Sequence, residues 1–82
     1  MPEFEKEFKE EVEMKISTNV DRIASIKELL RRRNFKELEV CFGSIGEALR
    51  LYNLWRAERD FYKQVYITLW KEEYNPPVGW ME

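Results

Sequence analysis

The sequence contains no histidine and only one cysteine, Cys41, among its 82 residues. Without histidine the chain cannot build a Cys/His zinc site or the histidine-based acid–base and nucleophilic centres of many enzymes. A lone cysteine cannot close an internal disulfide bond, and we expect Cys41 to be a small buried side chain. These absences predict a non-enzymatic protein with no metal site and no cofactor.

Long apolar stretches are also missing. The chain has no run of about 18 uncharged apolar residues, so it is not expected to span a membrane. Its acidic start, Met1-Pro2-Glu3-Phe4-Glu5, is the opposite of a basic signal-peptide start. We therefore expect a cytoplasmic protein. The high content of Glu, Lys and Arg, with a single glutamine, is typical of proteins from thermophiles.

Charged residues are abundant but nearly balanced, with 14 basic and 16 acidic side chains and a net charge of −2. This balance excludes a globally basic, histone-like protein. The charge is uneven along the chain. Residues 1–13 carry six Glu and two Lys, a net charge of −4, and residues 14–36 carry seven basic and two acidic side chains, a net charge of +5. Residues 37–82 carry five basic and eight acidic side chains, a net charge of −3. The middle block predicts a local basic surface.

This basic surface has two interpretations. The first is contact with nucleic acid or with an acidic partner, through Lys15, Arg22, Arg31, Arg32, Arg33 and Lys36. The second is a solvated helix end, where each cation interacts favourably with the helix dipole by ~0.3–1 kcal/mol. The glutamates near the start are interpreted as a solvated face and not as a metal site; they are Glu3, Glu7, Glu10 and Glu11.

Alternating apolar residues predict three short strands. Val12, Met14 and Ile16 alternate with polar residues, the segment 37–42 does the same, and 63–70 is rich in β-branched and aromatic residues. Helical spacing predicts one helix from an Asn19 N-cap to Asn34. A second is predicted to follow the capping box formed by Ser44 and Glu47.

This order predicts an α+β fold: a single-domain β-α-β-α-β two-layer sandwich, with both helices on one face of a small sheet and room for a short fourth edge strand. The alternative for the last part is one long helix over 45–73, which would replace the strand. The chain is divided into an acidic arm at 1–11, a core at 12–73 and a Pro/Trp-containing tail at 74–82. Trp55 and Trp70 are expected in the core, whereas Trp80 either covers the protein's own surface or anchors a partner.

The pattern resembles the Alba superfamily of small archaeal nucleic-acid-binding proteins. The likeness covers residues 12–70 and is carried by the segments 13–17, 37–40 and 64–68, and by Gly43 opening a helix. It implies a four-stranded α/β sandwich, a homodimer, and binding of DNA or RNA. Thr18-Asn19 stands where the family carries lysines, so no binding lysine is transferred.

Two functions follow from the sequence. The first is a homodimer that binds DNA or RNA weakly and in a salt-sensitive way through the central basic patch. The alternative is a protein-interaction or oligomerisation adaptor that uses the acidic arm, the basic patch and the aromatic tail. In either case we expect no membrane partner.

Overall fold

A computed structural model describes residues 3–71, and these residues form three helices. They are α1 (Glu3–Arg31), α2 (Phe35–Phe42) and α3 (Ile45–Trp70). The described residues contain no strand, so the predicted α+β sandwich is wrong and this part of the chain is all-α. The Alba-like topology falls with it, because that resemblance requires a sheet. The alternative of one long helix starting at 45 is correct in type, and α3 ends at Trp70.

Helices α1 and α3 pack side by side in opposite directions and form a helical hairpin. Near the start of α1, Val12 and Ile16 pack against Tyr66 and Trp70 at the end of α3. Near the end of α1, Ile26 packs against Ala48, close to the start of α3. The short α2 closes this second end of the hairpin, where it contributes the fully buried Leu38.

The core row of α1 follows the spacing of a coiled-coil seam. Its buried residues recur at intervals of four and three positions, as Val12, Ile16, Asn19, Ile23 and Ile26. This row turns one face of α1 toward α3, and outside the end where α2 packs it leaves the remaining surface of the helix without a neighbour. The resulting body measures 48 × 22 × 14 Å, so it is elongated and about one helix thick.

The first predicted strand is a stretch of α1. Val12 and Ile16 are buried but Met14, between them, is 68% exposed. Positions four apart lie on one face of a helix, whereas a strand would have placed all three residues on the same face. The alternation in the sequence was therefore coincidental, and α1 runs without a break from the acidic residues 3–11 into the predicted core.

The second and third predicted strands fail for the same reason. Leu38 is buried while Val40 is 72% exposed, which is the pattern of α2 and not of a strand. In α3, Tyr66 and Trp70 are buried at a spacing of four. The β-branched and aromatic composition of 63–70 favours a strand only weakly, and packing against α1 outweighs that preference.

The helix ends differ in part from those predicted. Asn19 is buried inside α1 and caps nothing, while α1 ends at Arg31. Asn34 is instead the N-cap of α2, and its side-chain oxygen accepts a hydrogen bond from the Glu37 amide at 3.3 Å. Gly43 ends α2 with a φ of 91°, a conformation that favours glycine.

The predicted capping box at the start of α3 is present in one half. The Ser44 hydroxyl accepts a hydrogen bond from the Glu47 amide at 3.0 Å, as expected. The Glu47 carboxylate, however, pairs with Arg50, one turn further along α3. Glu47 therefore forms an ion pair on the surface of α3.

The aromatic and cysteine predictions have mixed outcomes. Trp70 is buried as predicted, and Trp55 is partly buried against the cluster around Ile26 and Leu38. Cys41 was expected to be buried but is exposed, because it lies on the outer face of α2. Trp80 and the predicted fourth edge strand lie outside the described residues.

Candidate functional site

The residues predicted to form one basic patch lie in three separate places. Arg31 and Arg32 are in the last turn of α1, Arg33 lies in the link to α2, and Lys36 lies in the first turn of α2. Arg22 and Lys15 are further back on α1, about 14 and 24 Å from Arg31 at a rise of 1.5 Å per residue. Only the first four, here called the basic tip, are neighbours.

The basic tip is partly neutralised by one carboxylate. Glu28 accepts hydrogen bonds from both Arg31 and Arg32, and the shortest distance to each is 2.7 Å. These bonds, first of all the one from Arg31, lower the pKa of Glu28 below its usual range. Two of the four cations are therefore already engaged. Arg33 and Lys36 are exposed and form no ion pair with any described residue.

Arg22 and Lys15 lie on one face of α1, away from the tip. Arg22 packs its guanidinium over the Trp55 ring, 5.3 Å from the centroid, in a cation–π contact that helps to hold α1 against α3. Lys15, two turns away, is exposed. Both residues were predicted from the sequence to contact a ligand. Arg22 already has a partner within the protein, the Trp55 ring.

A row of apolar side chains on α3 is exposed, and sequence reasoning missed it. Phe61 is 62% exposed, Leu69 53% and Leu54 44%. With Val65 and Thr68 they form a row here called the α3 stripe. Phe61, Val65, Thr68 and Leu69, together with Gln64, line an open groove of about 290 Å³.

The α3 stripe was hidden by the strand prediction for 63–70. Once the segment is known to be helical, the intervals of seven, four and three residues from Leu54 to Phe61, Val65 and Thr68 indicate a second seam, beside the one that packs on α1. The position between Leu54 and Phe61 in this row is Glu58, which accepts a hydrogen bond from Asn19 at 3.4 Å.

The start of α1 adds aromatic surface at the open end of the hairpin. Phe4 is 78% exposed and stacks on Phe8 with 6.4 Å between ring centroids. Phe8 in turn contacts Trp70 at 5.9 Å, and the Trp70 indole donates a hydrogen bond to Glu5 at 3.4 Å. These contacts fix the start of α1 beside the end of α3.

The exposed thiol of Cys41 is not activated. It donates a hydrogen bond to the Glu37 carboxylate at 3.4 Å, and this bond is the main reason that the pKa of Cys41 lies above its usual value. A raised pKa reduces the thiolate fraction, and the thiolate is the reactive form. Within residues 3–71, no three acidic or cysteine side chains come together as metal ligands.

Neither family models, nor curated proteins, nor solved structures provide a match to this chain. The class that the described residues define is a charged helical hairpin closed by a short helix. No helix in residues 3–71 is both long and apolar enough to cross a membrane.

Proposed function

We propose that this chain is a non-enzymatic interaction module that self-associates through the α3 stripe. The observation that carries this proposal is the exposure of Phe61, Leu69 and Leu54 in one row along a helix. Apolar rows of this kind on a small protein mark surfaces that bind another protein. The proposal includes the predicted cytoplasmic location.

The spacing of the α3 stripe favours a helical partner. Residues that repeat every three and four positions present knobs that fit between the side chains of a facing helix. The hairpin is only 14 Å thick, so each long helix has a wide surface without a neighbour. A second hairpin stacked on the stripe would supply two helices and give a four-helix arrangement.

The charges of α1 favour a second copy of this chain as that partner. Glu58, which lies in the row of the stripe, contacts Asn19, and Arg22 contacts Trp55. The edge of α1 that carries Arg22 therefore adjoins the stripe. Lys15 lies seven residues before Arg22, and Glu11 lies four residues before Lys15. Helical spacing therefore places both on the edge of α1 that carries Arg22. Both are exposed and have no ion pair with a described residue.

A two-fold axis near the middle of this face makes these groups complementary. Asn19 contacts Glu58 and Glu5 contacts Trp70, so the part of α1 around position 11 lies beside Val65. An axis at right angles to the helices near this level would bring Glu11 of one chain within about one helical turn of Lys15 of the other. It would place Phe61 opposite Leu69 at the same time. Such a self-complementary surface is the requirement for a symmetric dimer.

Charge reversal tests this arrangement. Glu11→Lys opposes two pairs of lysines across the interface and Lys15→Glu opposes two pairs of glutamates, so each variant alone should dimerise at least ~10-fold more weakly, as expected for like charges placed together. Mixing the two variants should restore the dimer as a heterodimer. Association is measured by sedimentation velocity at low salt, and Glu10→Lys, which changes an outward-facing position of α1, is the control.

Single variants that dimerise as strongly as the wild type, or a mixture that shows no preference for the heterodimer, would contradict the register. A wild-type chain that stays monomeric at every concentration would contradict self-association itself. Phe61→Asp separates the apolar contribution from the charge contribution. It should abolish the dimer, whereas Leu49→Asp, an exposed leucine on another side of α3, should leave the dimer intact.

A second candidate function is weak binding of nucleic acid at the basic tip. It is favoured by Arg33 and Lys36, which are exposed and carry no ion pair within the described residues. Few phosphate contacts imply low affinity that falls as salt rises. Replacing both residues by alanine should abolish any mobility shift with a mixed RNA or DNA pool at low salt. Glu28→Gln, which releases Arg31 and Arg32, should strengthen it. A shift that neither change alters would exclude the tip.

A further inference from the structure

A second cavity lies between the later part of α1 and the middle of α3. It encloses about 210 Å³ and is lined by Ile23, Lys27, Tyr52, Arg56 and Arg59. Three of these five side chains are cationic, and α1 and α3 each supply at least one of them. No acidic side chain of residues 3–71 lines this cavity.

Arg59 is the unusual member of this group. Its side chain is only 5% exposed, and it occupies the row of α3 that faces α1. Burying a guanidinium is costly unless its charge and its N–H groups find partners. Asp60, which is 62% exposed, accepts from Nε at 3.1 Å and pairs with one Nη at 3.0 Å.

The other Nη nitrogen of Arg59 forms no hydrogen bond with a described residue. No buried side-chain nitrogen or oxygen in this part of the chain lacks a partner, so this nitrogen must be reached from outside. Since Arg59 lines the cavity, the cavity is the path to it. The remaining N–H edge of an otherwise buried guanidinium is therefore accessible from a partly open space lined by cations.

The other two cations, Lys27 and Arg56, also line the cavity. Arg56 lies over the Tyr52 ring, 5.5 Å from its centroid, which restricts the guanidinium to the cavity wall. Lys27 is one turn beyond Ile23 on α1 and faces the same space. Guanidinium groups present paired N–H donors that suit tetrahedral oxyanions, and an ammonium adds a third point charge.

We propose that this cavity binds a phosphate-type oxyanion, held by Lys27, Arg56 and the free Nη edge of Arg59. The negative charge of the anion would offset the positive charge of the buried Arg59 guanidinium, because Asp60 pairs with only some of its N–H groups. The cavity does not depend on the α3 stripe, because Arg56 and Phe61 lie about 140° apart around α3 at 100° per residue.

Thermal unfolding of the full chain tests this site. Inorganic phosphate, compared with chloride at equal ionic strength, should raise the melting temperature by about 5–10 °C when it is tenfold above its dissociation constant. A nucleoside monophosphate is the second arm. If it stabilises at lower concentration than inorganic phosphate, the occupant is a phosphate ester; if it stabilises less, the occupant is the free anion.

Variants connect the effect to the cavity. Arg59→Met keeps the apolar length of the side chain and should remove the phosphate effect while the protein remains folded in chloride. Arg56→Gln should weaken the effect at least ~10-fold, as expected when a charge-assisted contact is lost. Arg50→Gln, on the exposed surface of α3, is the control and should change nothing. No difference between phosphate and chloride, or an effect that survives Arg59→Met, would overturn the proposal. Should Arg59→Met fail to fold, Arg56→Gln with phosphorus NMR titration decides it.

Discussion

At the scale of single residues, one buried polar side chain, Asn19, sets how α1 and α3 align. Asn19 and Arg59 both occupy core rows, and each has a hydrogen-bond partner, Glu58 and Asp60 respectively. A polar residue at a core position of a coiled coil favours the one register that satisfies it, at some cost in stability. The apolar neighbours of Asn19 would tolerate a slip along the seam, but the Asn19–Glu58 pair would not, because it joins α1 to α3. Arg59 and Asp60 are adjacent on α3 and do not restrict the register.

The Cys41 thiol provides a chemical test of the α2 surface. Glu37→Gln removes the carboxylate that raises the pKa of Cys41, so the pKa should fall toward its usual value. At a pH below that pKa, the thiolate fraction and the alkylation rate should therefore increase. The measurement is the rate of iodoacetamide modification against pH. Glu39→Gln, which removes a nearby charge without touching the thiol, should have a smaller effect.

The two glycines around the start of α3 should respond oppositely to alanine. Gly43 has a φ of 91°, so Gly43→Ala is expected to destabilise the protein by about 1 kcal/mol although no atom would clash with the new methyl group. Gly46 is helical and its added Cβ meets only Ser44 Oγ at 4.0 Å, so Gly46→Ala should stabilise by roughly 0.5–1 kcal/mol. Urea unfolding measures both, and the same sign for the two would contradict the assigned backbone.

At the scale of elements, the helix that follows Ser44 could be predicted but the helices that replaced the strands could not. The Ser44 hydroxyl is a local signal, and it lies where the sequence indicated. In contrast, Val12, Met14 and Ile16 fit both a strand and a helix. A strand would bury all three residues and a helix would bury only Val12 and Ile16, so both structures bury the first and the last. Only the packing partner decides between the two patterns, and that information is not local.

The same ambiguity explains what was found and what was missed among site residues. The cations of the tip were visible as the run 31–33, but their pairing with Glu28 depends on helical spacing of three and four residues. The α3 stripe requires α3 to continue as a helix through 63–70. The cavity residues lie outside that segment, and they were missed because the packing of α1 against α3 could not be predicted. A strand prediction over 63–70 therefore concealed the surface on which the proposed function rests.

Substitutions in α2 distinguish helix from strand at the predicted second strand. Val40 is 72% exposed, so Val40→Ala should stabilise the protein by about 0.5 kcal/mol through helix propensity. In a strand the same change would be destabilising. Leu38→Ala, which removes a fully buried side chain, should cost about 2–4 kcal/mol. Thermal unfolding of the two variants gives both values.

At the scale of the whole molecule, the described chain is a thin body with an apolar row on one side and a cationic cavity on another. It has eight buried apolar residues and several large apolar side chains in solvent. Small chains bury a limited fraction of their surface, and association is a common way to add to it. The acidic first part and the basic second part of α1 suit antiparallel pairing of two copies.

The most direct test of self-association through the α3 stripe is a distance between two copies. Gln64→Cys in a Cys41→Ser background carries one spin label beside Val65, close to the proposed two-fold axis. Packed helices are 8–10 Å apart, so the labels of a dimer should lie within about 20 Å of each other in a pulsed dipolar measurement. A short distance that disappears in Phe61→Asp is the predicted result. A dimer with no short distance at this position, or no dimer at all, would contradict the account.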